Sequence, residues 1–234
     1  MGELVIIRHG QSEANAKNVF AGWVDTKLTD KGKQQARDAG NILRQRGFRP
    51  DIVFTSTLSR AIDTAKIALA AMGTPDATLI QDAALMERHY GGLTGMDKTE
   101  AKAKFGEEQF LQYRRSYDIP PLPMDKSHPA HPDHPSTGEK VVGMPPGGKG
   151  TESLADVVER VRPFFQQEIL PRMARGEKVL IAAHGNSLRA LSMLIEAMSS
   201  EAVKSYEIEN GIPIRYAIDV PKQGLWTFTR EELV

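Results

Sequence analysis

The sequence predicts an α/β fold, a parallel β-sheet with helices on its faces, and three observations carry that expectation. Four short β-favouring runs, at 4–7, 51–54, 78–81 and 178–183, alternate with longer segments of helical periodicity. Residues 4–7 and 179–183 are apolar without interruption, as strands buried on both faces are. Both runs lead into the same dipeptide, His9-Gly10 after an arginine and His184-Gly185 after an alanine. With 234 residues, no repeat beyond that pair and no clean linker, the chain reads as a single domain over 1–234.

Each element has a local reason. Leu4-Val5-Ile6-Ile7 is the first strand and stops at Arg8-His9-Gly10. Thr29 caps a helix whose apolar stripe is Ala36, Ala39, Ile42 and Leu43, with Gly47 beyond its end. Residues 51–54 form the second strand, 58–72 an Ala- and Ile-rich helix, and 78–81 the third strand. Asp97 and Glu100 have capping-box spacing and open a helix that breaks near Gly106 and continues to about Arg115. Residues 118–150 hold eight of the fourteen prolines and five glycines, too many for helix or strand, and read as an irregular excursion. Ser153 with Asp156 opens the next helix, which carries the stripe Leu154, Val157, Val158, Val161, Phe164 and Phe165 and should kink at Pro163. A strand at 178–183, a helix at 187–198 and two closing strands at 213–220 and 225–229 complete the pattern.

Composition excludes several classes. With 40% apolar and 26% charged residues and a mean hydropathy of −0.37, the chain is an ordinary soluble globule. Thirty basic residues balance thirty acidic ones, so no global field attracts nucleic acid or an anionic membrane. An anion site must therefore be a local cluster of Arg and Lys. The absence of cysteine excludes disulfides, a thiolate nucleophile and Cys-ligated metal, and fits a reducing compartment. No apolar run approaches the roughly 18 residues of a spanning helix. Glu3 and Arg8 around the first apolar stretch argue against a signal peptide, and Ile6 stands where a myristoylation motif needs Ser or Thr. The expectation is a soluble, cytoplasmic protein with no membrane or nucleic-acid partner.

In an open parallel sheet the C-terminal ends of adjacent strands form the ligand crevice, so His9 and His184 should face one pocket. Arg8, Ser12 and Asn15 flank the first histidine, and Arg60 follows the second strand into the same crevice. This donor-rich, cationic cup without a metal-ligand set suits a dianionic phosphoryl group, with planar forks for its oxygens and a neutral imidazole for in-line attack. A departing alkoxide needs a proton, and Glu87, just past the third strand, is the best-placed carboxyl. Lys98 and Arg114-Arg115 exceed what one phosphate requires, which points to a substrate with a second anionic group. Two other motifs are set aside. Gly143 to Lys149 resembles a phosphate-binding loop, but Gly150 replaces its Ser/Thr and two prolines remove N–H groups. His128, His131 and His134 recur every third residue between prolines, with Asp133 as their nearest carboxylate, which is a poor zinc site.

Arg8-His9-Gly10-Gln11-Ser12 together with His184-Gly185-Asn186-Ser187-Leu188-Arg189-Ala190 resembles the histidine phosphatase superfamily. Within it the chain is similar to the cofactor-dependent phosphoglycerate mutases through Phe20-Ala21-Gly22-Trp23, Ser59-Arg60-Ala61, Glu87-Arg88-His89-Tyr90-Gly91-Gly92, Lys98 and Gln112-Tyr113-Arg114-Arg115. The resemblance covers nearly the whole chain. It implies a three-layer α/β/α fold with a mostly parallel six-stranded sheet, and a homo-oligomer, dimer or tetramer. It further implies interconversion of 3- and 2-phosphoglycerate in glycolysis, primed by 2,3-bisphosphoglycerate and needing no metal. By the same resemblance His9 is the nucleophile and Glu87 the acid/base, while Arg8, Arg60 and His184 stabilise the transferring group. Substrate binding falls to Gln11, Ser12, Asn15, Ala21, Gly22, Arg88, His89, Tyr90, Lys98, Arg114, Arg115, Gly185 and Asn186.

Three positions depart from the family pattern. Ala21 stands where Thr is usual, Gln11 where many members have Glu, and the chain ends at Val234, only five residues past Thr229. The last departure leads to the expectation that the excursion at 118–150 covers the site and excludes water. Two alternatives stay open at this point: a phosphatase of the same superfamily, which would have little use for the second cationic group, and a non-catalytic phosphoglycerate-binding protein.

Overall fold

The computed structural model describes residues 1–131 and 150–234. The phosphate-loop-like stretch, His134 and most of the expected cover lie outside the described residues. β1 (Gly2–Arg8), β2 (Ile52–Thr55), β3 (Leu79–Gln81), β4 (Lys178–Ala183), β5 (Pro213–Asp219) and β6 (Thr227–Glu232) form one sheet in the order β3-β2-β4-β1-β5-β6. The first four run parallel, while β5 is antiparallel to β1 and β6 to β5. The sheet is therefore mixed, with its two closing strands reversed.

Alternation along the strands divides the core into two layers. Leu4 and Ile6 of β1 and Val179 and Ile181 of β4 face α6 (Leu154–Phe164) and α8 (Gly185–Glu196). Val5, Ile7, Leu180 and Ala182 face α2 (Asp30–Gln45) and α3 (Ser59–Met72). The caps are those the sequence suggests: Thr29 accepts from the Gly32 N–H, Ser153 and Asp156 form a capping box, and Asp97 accepts from Thr99 and Glu100 ahead of α4 (Lys98–Phe105). Gly106 separates α4 from α5 (Glu107–Arg115). No helix among the described residues is long and apolar enough to cross a membrane.

Three expectations shift, and two short helices are new. α8 starts at Gly185 rather than 187, because His184 is extended and occupies the N-cap. β6 starts at Thr227, since Leu225 is largely exposed and β5 runs out of partners before it. α6 leaves α-geometry just past Pro163: residues 165–169 form a π turn, in which the Leu170 N–H reaches back five residues to Phe165 O, before α7 (Leu170–Ala174). Pro171 would press on the carbonyl four residues earlier in a regular helix, and the wider turn accommodates it. The short α1 (Glu13–Ala16) and α9 (Ala202–Ser205) have too few residues to show periodicity.

Candidate active site

Register places the two histidines side by side. Arg8 of β1 pairs with Ala183 of β4, so the next residue on each strand emerges at the same level, and the His9 and His184 ring centroids are 5.0 Å apart. The chain turns away from β1 without a side chain at Gly10, where a Cβ would lie 2.1 Å from Gly32 O at the start of α2. His9 Nδ1–H donates to Gly10 O at 2.7 Å, which leaves Nε2 as the free lone pair. Burial, together with the Arg60 and Arg8 charges, holds the His9 imidazole well below its ordinary value of 6.5. Burial and the Arg60 charge do the same to His184. Both rings are neutral near pH 7, the form in which an imidazole nitrogen can act as a nucleophile.

Three buried histidines tie stability to pH. His9, His184 and His89, the last lowered to about 4 by burial and by His131 and His128, stay neutral in the fold where the unfolded chain would protonate them. The unfolded state thus binds more protons below pH 6.5. Stability should fall as pH drops through that value, by up to about 1.4 kcal/mol per pH unit for each histidine. Denaturant midpoints at pH 8 and pH 5.5 check this; equal midpoints would contradict it.

Glu87 sits on a tightly held loop. Arg160 of α6 donates to Ala84 O at 2.6 Å, Met86 O at 2.9 Å and Glu87 O at 3.0 Å, and is paired with the buried Glu152 at 2.7 Å. Glu152 in turn accepts the His89 N–H at 2.8 Å, and Trp23 Nε1–H donates to Glu87 O at 2.6 Å. On the Glu87 side chain one oxygen is saturated: Oε1 accepts from the Arg88 N–H (2.8 Å), the Asn186 N–H (3.1 Å) and Asn186 Nδ2 (2.9 Å). Oε2 takes part in none of these three bonds. Oε2 and the Arg8 guanidinium both lie within 4 Å of where a Cβ on Gly185 would stand, so carboxyl and guanidinium converge at that glycine.

The cations arrive from four elements. Arg60, buried on the first turn of α3, spends Nη1 and Nη2 on Val24 O and Gly22 O, and Gly22 makes that turn at φ +55°. Arg8 Nη1 donates to Ile208 O, and its buried Nε has no partner among the described residues. Lys98 begins α4, and Arg114 and Arg115 end α5, where cations also suit the helix dipole. Burial, followed by the Arg114 charge for Lys98 and the Arg115 charge for Arg114, depresses both groups. Such crowding leaves a field that only an anion relieves. Glu207 answers part of it by pairing with Arg115.

Of the expected residues, Arg8, His9, Ser12, Asn15, Ala21, Gly22, Arg60, Glu87, Tyr90, Lys98, Arg114, Arg115, Gly185 and Asn186 line one cup. Four do not. His184 is fully buried, its ring centre 5.0 Å from that of His9; Gln11 Oε1 accepts from Thr29 Oγ1 away from the cup; His89 accepts the Gly91 N–H; and Arg88, fully buried, donates to Tyr113 O and Arg114 O with its guanidinium 4.7 Å from the Tyr90 ring centre. Arg88 and His89 thus brace the walls. Phe20, Arg189, Glu207 and Ile208 join the lining, although the sequence motifs give them no role. Arg189 lies in the second His-Gly motif and donates to Asn186 Oδ1 at 3.0 Å, which turns Asn186 Nδ2 toward Glu87 and Tyr90. Glu207 and Ile208 carry no motif, and reach the site because Gly211 N–H bonds to Arg8 O and Asn210 Nδ2 to His9 O. Among the described residues no three His, Asp or Glu side chains are grouped to hold a metal.

The model of the histidine phosphatase superfamily (branch 1) matches residues 4–128 and 119–219, which include both His-Gly strands and Glu87. The chain belongs to the histidine phosphatase superfamily. Superfamily relatives named 2,3-bisphosphoglycerate-dependent phosphoglycerate mutase include one from Corynebacterium jeikeium, 46% identical over 93% of this chain and 84% of its own length. Another, from Azorhizobium caulinodans, is 47% identical over 92% of this chain and 91% of its own length. Among solved structures, a mycobacterial glucosyl-3-phosphoglycerate phosphatase superposes with a TM-score of 0.74 at 23% identity, covering 98% of each chain. That likeness, like one of 0.74 at 22% identity to a protein called mycobacterial hydrolase 1 over 99% of this chain and 97% of the other, concerns the superfamily fold alone.

Proposed function

We propose that the protein is a 2,3-bisphosphoglycerate-dependent phosphoglycerate mutase, interconverting 3- and 2-phosphoglycerate through a phosphohistidine at His9. The observation that carries this reading is the second cationic group: Lys98, Arg114 and Arg115 line the same cup as His9, Glu207 answers only Arg115, and a simple phosphomonoester would leave Lys98 and Arg114 without a counter-ion. The relatives' shared name over nine-tenths of the chain supports the same substrate. The bisphosphate fits the site, since Arg8 Nε in the lining and His184 Nδ1 next to His9 are buried polar atoms without partners among the described residues, and Lys98, Arg114 and Arg115 line the same cup. When bound, it supplies the phosphoryl group that charges His9.

His9 Nε2 makes the new N–P bond as the P–O bond to the glycerate breaks, with Arg8, Arg60 and His184 about the group in transfer. Glu87 Oε2 delivers a proton to the departing oxygen. In the return step Glu87 takes the proton of the other hydroxyl, and the phosphoryl group leaves His9 for that oxygen. Tyr90, Lys98, Arg114 and Arg115 hold the distal anion. The reading places this work in the cytoplasm, where phosphoglycerates occur.

Formation of 2-phosphoglycerate from 3-phosphoglycerate, measured in chelator with and without 2,3-bisphosphoglycerate, tests the assignment. Bisphosphate-stimulated isomerisation is expected. Release of inorganic phosphate with no isomer formed would make the protein a phosphatase instead.

A further inference from the structure

Ser56 stands one residue past β2, fully buried and outside the lining of the cup. Its Oγ lies 2.7 Å from His184 Nε2 and accepts the Leu58 N–H at 3.2 Å. Among the described residues the hydroxyl makes no other hydrogen bond. Its own proton is satisfied only by donation to Nε2, and a neutral imidazole that accepts at Nε2 carries its one proton on Nδ1. His184 is neutral, held so by burial and the Arg60 charge. Its Nδ1 is buried and without a partner among the described residues, in a ring whose centroid is 5.0 Å from that of His9.

We infer that Ser56 is a positioning residue that sets the tautomer of His184, so that Nδ1–H donates a hydrogen bond to the phosphoryl group transferred at His9. The two imidazoles at the ends of adjacent strands are then locked in opposite senses. His9 gives its Nδ1 proton to Gly10 O and presents a lone pair at Nε2. His184 has its Nε2 lone pair taken by Ser56 and presents an N–H. One ring attacks phosphorus and the other binds the oxygens on it. In the other tautomer His184 would turn a lone pair toward an anionic oxygen and repel it. The inference rests on His9 as the phosphorylated residue, not on which phosphoglycerate chemistry follows.

Ser56→Ala, with His184→Ala as its companion, provides the kinetic test. In single turnovers with 2,3-bisphosphoglycerate, Ser56→Ala should slow phosphorylation of His9 by about 10- to 100-fold while changing the apparent dissociation constant by less than about threefold. In the His184→Ala background the same change should cost nothing further, because Ser56 acts only through that ring. Additive losses, or a rate within about threefold of wild type, would overturn the proposal. Independently, the ¹⁵N spectrum of labelled wild-type protein, with His184 identified by its loss in His184→Ala, should show a protonated Nδ1 and an unprotonated Nε2. A proton on Nε2 would also overturn it. That measurement uses no substrate, so it stands apart from failure of the mutase assignment, and it decides the matter even if Ser56→Ala does not fold.

Discussion

His9→Ala is expected to abolish both isomerisation and the incorporation of acid-labile phosphate, lowering turnover by at least about 10⁴-fold. Among the described cup-lining residues His9 is the one imidazole, and the two carboxylates are those of Glu87, whose Oε2 is needed for the proton, and Glu207, which is paired with Arg115. Arg8, Arg60, Lys98, Arg114 and Arg115 only donate, Ser12 is tied to Asn15 in the capping box of α1, and Glu87 Oε1 already accepts three bonds. The variant should fold, because among the described residues the His9 side chain hydrogen-bonds only to its own neighbour, Gly10 O. It should also still bind 2,3-bisphosphoglycerate through those cations. Binding by calorimetry and acid-labile ³²P separate the two functions, and retained phosphate exchange would assign the nucleophile elsewhere.

Glu87→Gln should lower turnover by a factor on the order of 10² to 10⁴ with folding and bisphosphate binding preserved. The replacement keeps an oxygen for the donors on Arg88 and Asn186, so the loop and the start of α8 retain their anchor. An amide nitrogen at the Oε2 position neither gives nor takes the proton. The loss should fall on both directions of the reaction, since the same atom acts as acid in one and base in the other. Circular dichroism together with the two initial rates checks this. A rate within a few-fold of wild type would move the role to another group.

Much of the cup is legible in the amino-acid sequence. The doubled strand-His-Gly pattern predicts that His9 and His184 meet, because two apolar strands ending alike predict a shared crevice. Arg60 and Glu87 follow from their places just past strands two and three, and Arg114-Arg115 from an excess of cations over what one phosphate needs. Arg88 and His89 resist this reasoning. They share a motif with Glu87 and Tyr90, yet the loop turns their side chains inward, to the carbonyls at the end of α5 and to the Gly91 N–H. Motif membership reports that a position is constrained, not whether ligand or scaffold constrains it.

Local information is sufficient for what depends on local physics: apolar runs too short to be anything but strands, caps at Thr29, Asp97 and Ser153, and an alternation of strand and helix that demands an α/β sheet. It leaves open everything that depends on which strands become neighbours. The reversal of β5 against β1 brings Asn210 to the His9 carbonyl and Glu207 to Arg115, although some two hundred residues separate Asn210 from His9. The bond from Ser56 to His184 likewise spans 128 positions and exists only because β2 and β4 are adjacent. A hydrogen bond has a reach of about 3 Å and no memory of chain distance, so such partners are set by sheet order and register, which no local pattern in the chain records.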